Sequence, residues 1–207
     1  MQFNFIANAQ VPSLSGRTLP VIDPSDGQPY DEIQRSSPAD LHDAVGAAQQ
    51  CLYATWRSTS AVERGRLLYR LSQLVTEHAE ELAAIEQRDC GKPTRQARAD
   101  AQALARYFEF YAGAADKLHG ETLPYQQGYS VLTWHEPHGV TGHVIPWNYP
   151  MQIFGRSVGA ALAAGNTCVV KPSEDACLSL LRVAELAAQA GFPAGACLLY
   201  TSPSPRD

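Results

Sequence analysis

The sequence predicts an α/β fold in which helices come first and a parallel sheet follows. Two observations carry that prediction. Between residues 37 and 127 apolar side chains recur at helical spacing in three successive stretches. From residue 139 onward the pattern changes to strand, helix, strand, helix, which is a βαβ unit with parallel strands and a right-handed crossover.

The elements can be justified in order. Residues 1–36 are rich in Pro, Gly, Ser and Asp and read as an extended arm with one or two short strands, such as Leu19–Ile22. Ser37-Pro38-Ala39-Asp40 starts the first helix, with Pro at its first position and an acid in its first turn. Its apolar stripe is Leu41, Ala44, Val45, Ala48, Leu52 and Trp56. Ser60 and Glu63 form a capping box for a second helix, whose stripe continues through Leu82 and Ile85 to a stop at Cys90-Gly91. A third helix runs from about Thr94 to Ala115. Such stripes are core faces before they are binding faces.

After Gly128 the period shortens. Tyr129–Glu136 alternates loosely and reads as a strand, and Gly139–Ile145 as another. Pro150 opens an apolar helix that closes at Gly165. Thr167–Val170 is a short β-branched strand, and a last helix spans Ser173 to about Ala190.

Composition excludes several function classes. The 207 residues suffice for one domain and part of another, with 45% apolar and 18% charged residues, as in ordinary globular proteins. A net charge of −5 without any basic tract argues against nucleic acid or an anionic membrane as partner. The start, MQFNFIANAQVPSLSG, has neither the positive nor the apolar region of a secretory signal, and no apolar run reaches membrane length. A cytoplasmic location is the expectation. The five cysteines form no CxxC pair and the six histidines do not cluster, so reduced, buried thiols are expected and a metal site is not.

Two stretches stand out because ligands of open α/β sheets bind beyond the carboxyl ends of the strands. One is Ile145-Pro146-Trp147-Asn148; the other is Lys171-Pro172-Ser173-Glu174. Asn148, framed by Pro146 and Pro150, is either a fixed neutral donor suited to an oxyanion or the cap of the following helix. Lys171 and Glu174 can bracket a ribose, donating to and accepting from its hydroxyls. Alternatively, Glu174 and Asp175 are acids in a helix's first turn, where the helix dipole favours them. A Gly-rich GxGxxG fingerprint is absent, GVTG (139–142) being only a fragment of one.

Taken together and in order, GVTGHVIPWNYPMQIFGRSVGAALAAGNTCVVKPSE resembles the signature of the aldehyde dehydrogenase superfamily. The resemblance is close over residues 136–196 and extends more loosely back to about residue 17. Val21-Ile22-Asp23-Pro24, Trp56-Arg57, Glu63-Arg64 and EQRDCGKP (86–93) are similar to further family elements, with Cys90 replacing the commoner small polar residue. The resemblance implies a Rossmann-like parallel sheet domain, incomplete in this chain, behind the arm (1–36) and a helical part (37–127). It implies a bridging strand (128–138) that pairs subunits into a homodimer or homotetramer, and a partial NAD(P)-binding βαβ unit (139–196). Lys171 and Glu174 would hold the adenosine ribose, Pro172 and Ser173 would line the adenine end, and Ile145, Pro146, Trp147 and Asn148 would contact the cofactor. Asn148 would also donate to the oxyanion of a thiohemiacetal formed from an aldehyde substrate. A carboxylate at 174 sits awkwardly with a 2′-phosphate, so NAD is favoured while NADP stays possible.

The pattern also breaks. The family's GSTxxG, ELGGK and GQxC elements, which supply the general base and nucleophilic cysteine, do not occur in these residues, so the chain by itself is expected to be inactive. The end, CLLYTSPSPRD (197–207), departs from the apolar strand expected there and reads as a junction near Ala196 that leaves a two-stranded sheet. A different reading takes the chain as a non-catalytic binding or regulatory module that docks on full-length subunits through an exposed sheet edge.

Overall fold

The computed structural model describes residues 1–203. Two short strands, β1 (Asn4–Ile6) and β2 (Ala9–Val11), form a hairpin, and β3 (Thr18–Asp23) pairs with β4 (Gln28–Gln34) in a second one. The arm is therefore richer in strand than its turn residues suggested. Helix α1 (Pro38–Ala54) follows, then a 3₁₀ turn at Trp56–Ser58. Next come α2 (Ala61–Glu77), α3 (Ala79–Cys90) and α4 (Thr94–Ala114). The second helix expected from the sequence is thus two. His78, at φ −99° and ψ 15°, separates them. The apolar stripe runs on across that one residue, so periodicity alone could not register the break.

Strand β5 (Thr122–Leu123) pairs with β6 (Val131–Leu132) in a two-rung hairpin. The expected strand over Tyr129–Glu136 shrinks to those two residues because its large side chains face solvent: Tyr129, Leu132 and Trp134 are exposed. Strand β7 (Val140–Ile145), α5 (Pro150–Ala163), β8 (Thr167–Pro172), α6 (Leu178–Gln189) and β9 (Cys197–Leu199) complete the chain. The last helix begins five residues later than expected, because residues 173–176 form a turn.

The main sheet has five strands in the order β2-β1-β9-β8-β7. Strands β7, β8 and β9 are parallel, while β1 joins β9 antiparallel through Phe5 and Leu199. This corrects the two-stranded expectation. Cys197, Leu198 and Leu199 are all buried, and three such residues suffice for a strand flanked on both sides. The polar residues after them need not extend it. Thr201 is buried, donating its Oγ1 to the Gln34 carbonyl at 2.6 Å and its N–H to Asn4 Oδ1 at 3.1 Å. Residues 204–207 of the tail lie outside the described residues.

Helix α1 covers one sheet face, where Ala44 and Ala48 meet Val169 and Leu198. On the other face α5 and α6 pack on Cys168, Val170, Cys197 and Leu199, with α2 and α4 outside them. Cover on both faces explains why β8 is apolar without alternation. Trp56 fastens the layers together: it is fully buried, donates Nε1–H to the Asn166 carbonyl at 2.9 Å, and lies 5.7 Å from the Phe192 ring. Arg64 caps the end of α5, donating to the Ala163 carbonyl at 3.0 Å beside Gly165 at φ +91°.

Candidate functional site

Register brings the two conspicuous stretches together. Strands β7 and β8 pair with Ile145 opposite Pro172 and Val144 opposite Lys171, and the Ser173 N–H donates to the Ile145 carbonyl at 2.8 Å. Both strands therefore end at the same level, and both following loops leave the same edge of the sheet, where open α/β sheets bind their ligands.

In the second loop, Lys171 Nζ lies 3.1 Å from Glu174 Oε2, with side chains 15% and 16% exposed. Glu174 lines a cleft of about 320 Å³ together with Ile22, Pro24, Cys90, Trp147 and Asp175, among others. Glu174 and Asp175 precede α6 by several residues, which removes the reading of them as first-turn acids. The start of α6 is served from elsewhere: Asp89 accepts the Leu178 N–H at 2.8 Å and the Tyr30 hydroxyl at 3.1 Å.

In the first loop, Pro146, Trp147 and Asn148 are exposed. The helix cap is Tyr149 and it makes no side-chain capping bond, so Asn148 is not the capping residue. Its amide stands at the surface between Trp147 and Tyr149, on the same edge as the Lys171–Glu174 pair but without a hydrogen bond to it among the described residues.

Beneath this loop lies a buried polar cluster that motif reading missed. Lys92 Nζ bridges Glu86 Oε1 at 2.7 Å and Asp100 Oδ2 at 2.8 Å, both carboxylates being fully buried. Burial pushes the Glu86 carboxyl up against the pull of Lys92, whereas the two carboxylates hold the Lys92 ammonium up despite its desolvation. Asp89, also buried, is pushed up to about 7 chiefly by desolvation. A signal for these acids was present. Glu86 and Asp89 follow Leu82 at helical spacing, and Asp100 lies between Ala97 and Leu104, so all three occupy core-facing positions.

The cysteines are thiols at neutral pH. Burial raises Cys51 to about 11 and Cys197 to about 12, and puts Cys168 and Cys177 well above the usual range. Cys90 reaches about 12 through burial and the nearby Glu86 charge. All five are free, and none has the electropositive surroundings of a nucleophile. Among the described residues no group of His, Cys, Asp and Glu could hold a metal ion.

A sheet with helices on both faces, and two loops meeting at the carboxyl ends of its parallel strands, places the chain in the doubly wound α/β class. The description "Aldehyde dehydrogenase family" belongs to the family model that matches residues 11–205, and this chain is a member of that family. The match reaches into the carboxyl-terminal segment that reads as foreign by its sequence.

Among curated proteins, hydroxyisobutyraldehyde dehydrogenase of Mycolicibacterium austroafricanum is 48% identical over 92% of this chain. The chain spans 38% of that relative's length. Among solved structures, a protein from Burkholderia cenocepacia assigned as an aldehyde dehydrogenase superposes with a TM-score of 0.96 at 67% identity, covering 97% of this chain and 42% of that one. The NAD+ complex of an aldehyde dehydrogenase from Bacillus cereus gives 0.96 at 36% identity, covering 99% and 42%.

Proposed function

We propose that the chain is the amino-terminal, cofactor-binding part of an NAD-dependent aldehyde dehydrogenase whose whole length oxidises an aldehyde to a carboxylic acid. The observation that carries this reading is the β7–β8 register, which sets IPWN and KPSE side by side at one sheet edge. The residues fit a dinucleotide. Lys171 and Glu174 offer a donor and an acceptor for ribose hydroxyls, Pro172 and Ser173 flank the adenine end, and Pro146 and Trp147 line the approach, while the Ile145 side chain is buried in the core beneath them. When bound, the nicotinamide supplies the hydride acceptor. Asn148 presents a neutral amide donor that can stabilise an oxyanion without moving a proton.

Solved relatives include an NAD+ complex and an NADP-dependent enzyme, and Glu174 repels a 2′-phosphate, so NAD is the preferred cofactor. The exposed Tyr125, Tyr129, Leu132 and Trp134 around the β5–β6 hairpin support pairing of subunits into a homodimer or homotetramer through that element. Five free cysteines fit a cytoplasmic setting, and among the described residues no helix is long and apolar enough to cross a membrane.

Titration of NAD+ into the 207-residue chain, read by tryptophan emission in a Trp134→Phe background where Trp147 is the exposed indole and Trp56 the buried one, tests the reading. Saturable quenching is expected, with Lys171→Ala and Glu174→Ala each weakening binding roughly tenfold, or about 1.4 kcal/mol. No NADH should form when an aldehyde is added, since none of the chain's own thiols is ionised. Absence of saturable binding would contradict the reading.

A further inference from the structure

The Lys92 cluster has no part in the roles assigned above, and burying it is costly. Glu86 and Asp100 are fully buried and Lys92 is 10% exposed. Two carboxylates and one ammonium leave a net charge of −1, a burden that is tolerable only when every oxygen has a donor. Each does. Glu86 Oε1 accepts from Lys92, and Glu86 Oε2 accepts from Ser179 Oγ at 3.1 Å and the Met151 N–H at 3.4 Å. Asp100 Oδ2 accepts from Lys92, and Asp100 Oδ1 from the Nε2 groups of Gln96 and Gln152, each at 2.7 Å.

These contacts converge on residues 147–152. Met151 and Gln152, in the first turn of α5, are tied to the two carboxylates. The Lys92 ammonium lies 4.8 Å from the centre of the Tyr149 ring, within cation–π range. Two residues before Lys92, the Cys90 thiol donates to the Trp147 carbonyl at 3.3 Å. Asn148 lies at the surface between two neighbours that are also exposed but are anchored, Trp147 through its carbonyl and Tyr149 through its ring. A surface loop residue has no reason to be rigid on its own, whereas an oxyanion donor must already be in place when charge develops.

We propose that Lys92 is a positioning residue for Asn148: held between Glu86 and Asp100 and lying over Tyr149, it fixes the turn that presents the Asn148 amide. The proposal rests on the reading of Asn148 as oxyanion donor. Lysine suits the task because its ammonium can donate to both carboxylates and still lie against the ring face. Methionine keeps the length of the side chain but leaves two buried carboxylates without a cation.

The test is the ¹⁵N-resolved backbone amide of Asn148 in the 207-residue chain, assigned by its displacement in Asn148→Asp. In the parent chain the backbone order parameter at Asn148 should lie near the rigid value of about 0.85, and in Lys92→Met it should fall below about 0.6. The backbone signals of Val169 and Val170 should stay in place. The double variant Lys92→Met/Asp100→Asn keeps the net charge at −1 by removing one charge of each sign, and it should show the same loss of order. An Asn148 amide that stays rigid in either folded variant would overturn the proposal. So would failure of both to fold, since Lys92 would then be a residue of stability alone. The measurement needs no turnover, so its failure leaves the oxyanion reading standing; that reading is judged by the activity of Asn148 variants.

Discussion

Asp89 links one residue's chemistry to the stability of the whole site. Its carboxylate accepts from the start of α6 and from Tyr30, inside a wall of the candidate cofactor cleft. With its pKa near 7 in the fold, against an ordinary value of 3.8, the native state holds a proton that the unfolded chain releases. Between about pH 4 and 7 the native state therefore binds more protons, and stability falls as pH rises. Asp89→Asn removes this titration. Urea unfolding of both proteins from pH 4.5 to 7.5 should show the variant gaining on the parent as pH rises, by no more than about 4 kcal/mol in all. Parallel pH curves would contradict the assignment. Residues of this kind were the least legible in the sequence. An acid at a core-facing helical position announces a buried charge, but its partner, whether Lys92 for Glu86 or Tyr30 for Asp89, comes from another element. The placement of Asn148 and of Lys171–Glu174 at one sheet edge was legible because prolines and strand ends mark those places locally.

At the scale of elements, local signals held where the deciding contacts are local. The Ser60–Glu63 capping box starts α2 as the sequence indicated, with reciprocal bonds of 3.2 Å and 2.9 Å. Pro150 opens α5 and Gly165 follows its end for the same reason. Signals failed where one irregular residue or a distant neighbour decides, as at His78 and at β9. The turn before β9 shows the tightest such dependence. Gly195 has φ +99°, and a Cβ there would stand 2.6 Å from the Ala47 carbonyl oxygen and 2.7 Å from Cys51 Cβ. Helix α1 thus lies against the backbone of the turn itself. Gly195→Ala should cost about 3 kcal/mol through backbone strain and overpacking combined, measured as a lower urea midpoint at unchanged m-value. A neutral substitution would mean that α1 and the turn before β9 are not in such close contact.

For the whole molecule, the arm and the carboxyl-terminal segment complete one sheet together. Phe5 pairs with Leu199 across almost the full chain, and Asn4, Ser36 and Thr201 form a buried hydrogen-bonded knot next to that pairing. Periodicity is a local property and could not reveal this closure, so the sequence suggested a sheet two strands wide where the chain builds five. The order of parallel strands and crossover helix was legible throughout, and it is what sets the site. The most direct test of the account replaces the corresponding amino-terminal residues of the Burkholderia cenocepacia relative, 67% identical, with this chain. The chimera should reduce NAD+ with an aldehyde, and Asn148→Ala in it should lower kcat by roughly 10²–10³-fold, as loss of one oxyanion donor does. A folded chimera that binds NAD+ and turns over equally well with Ala at position 148 would contradict it.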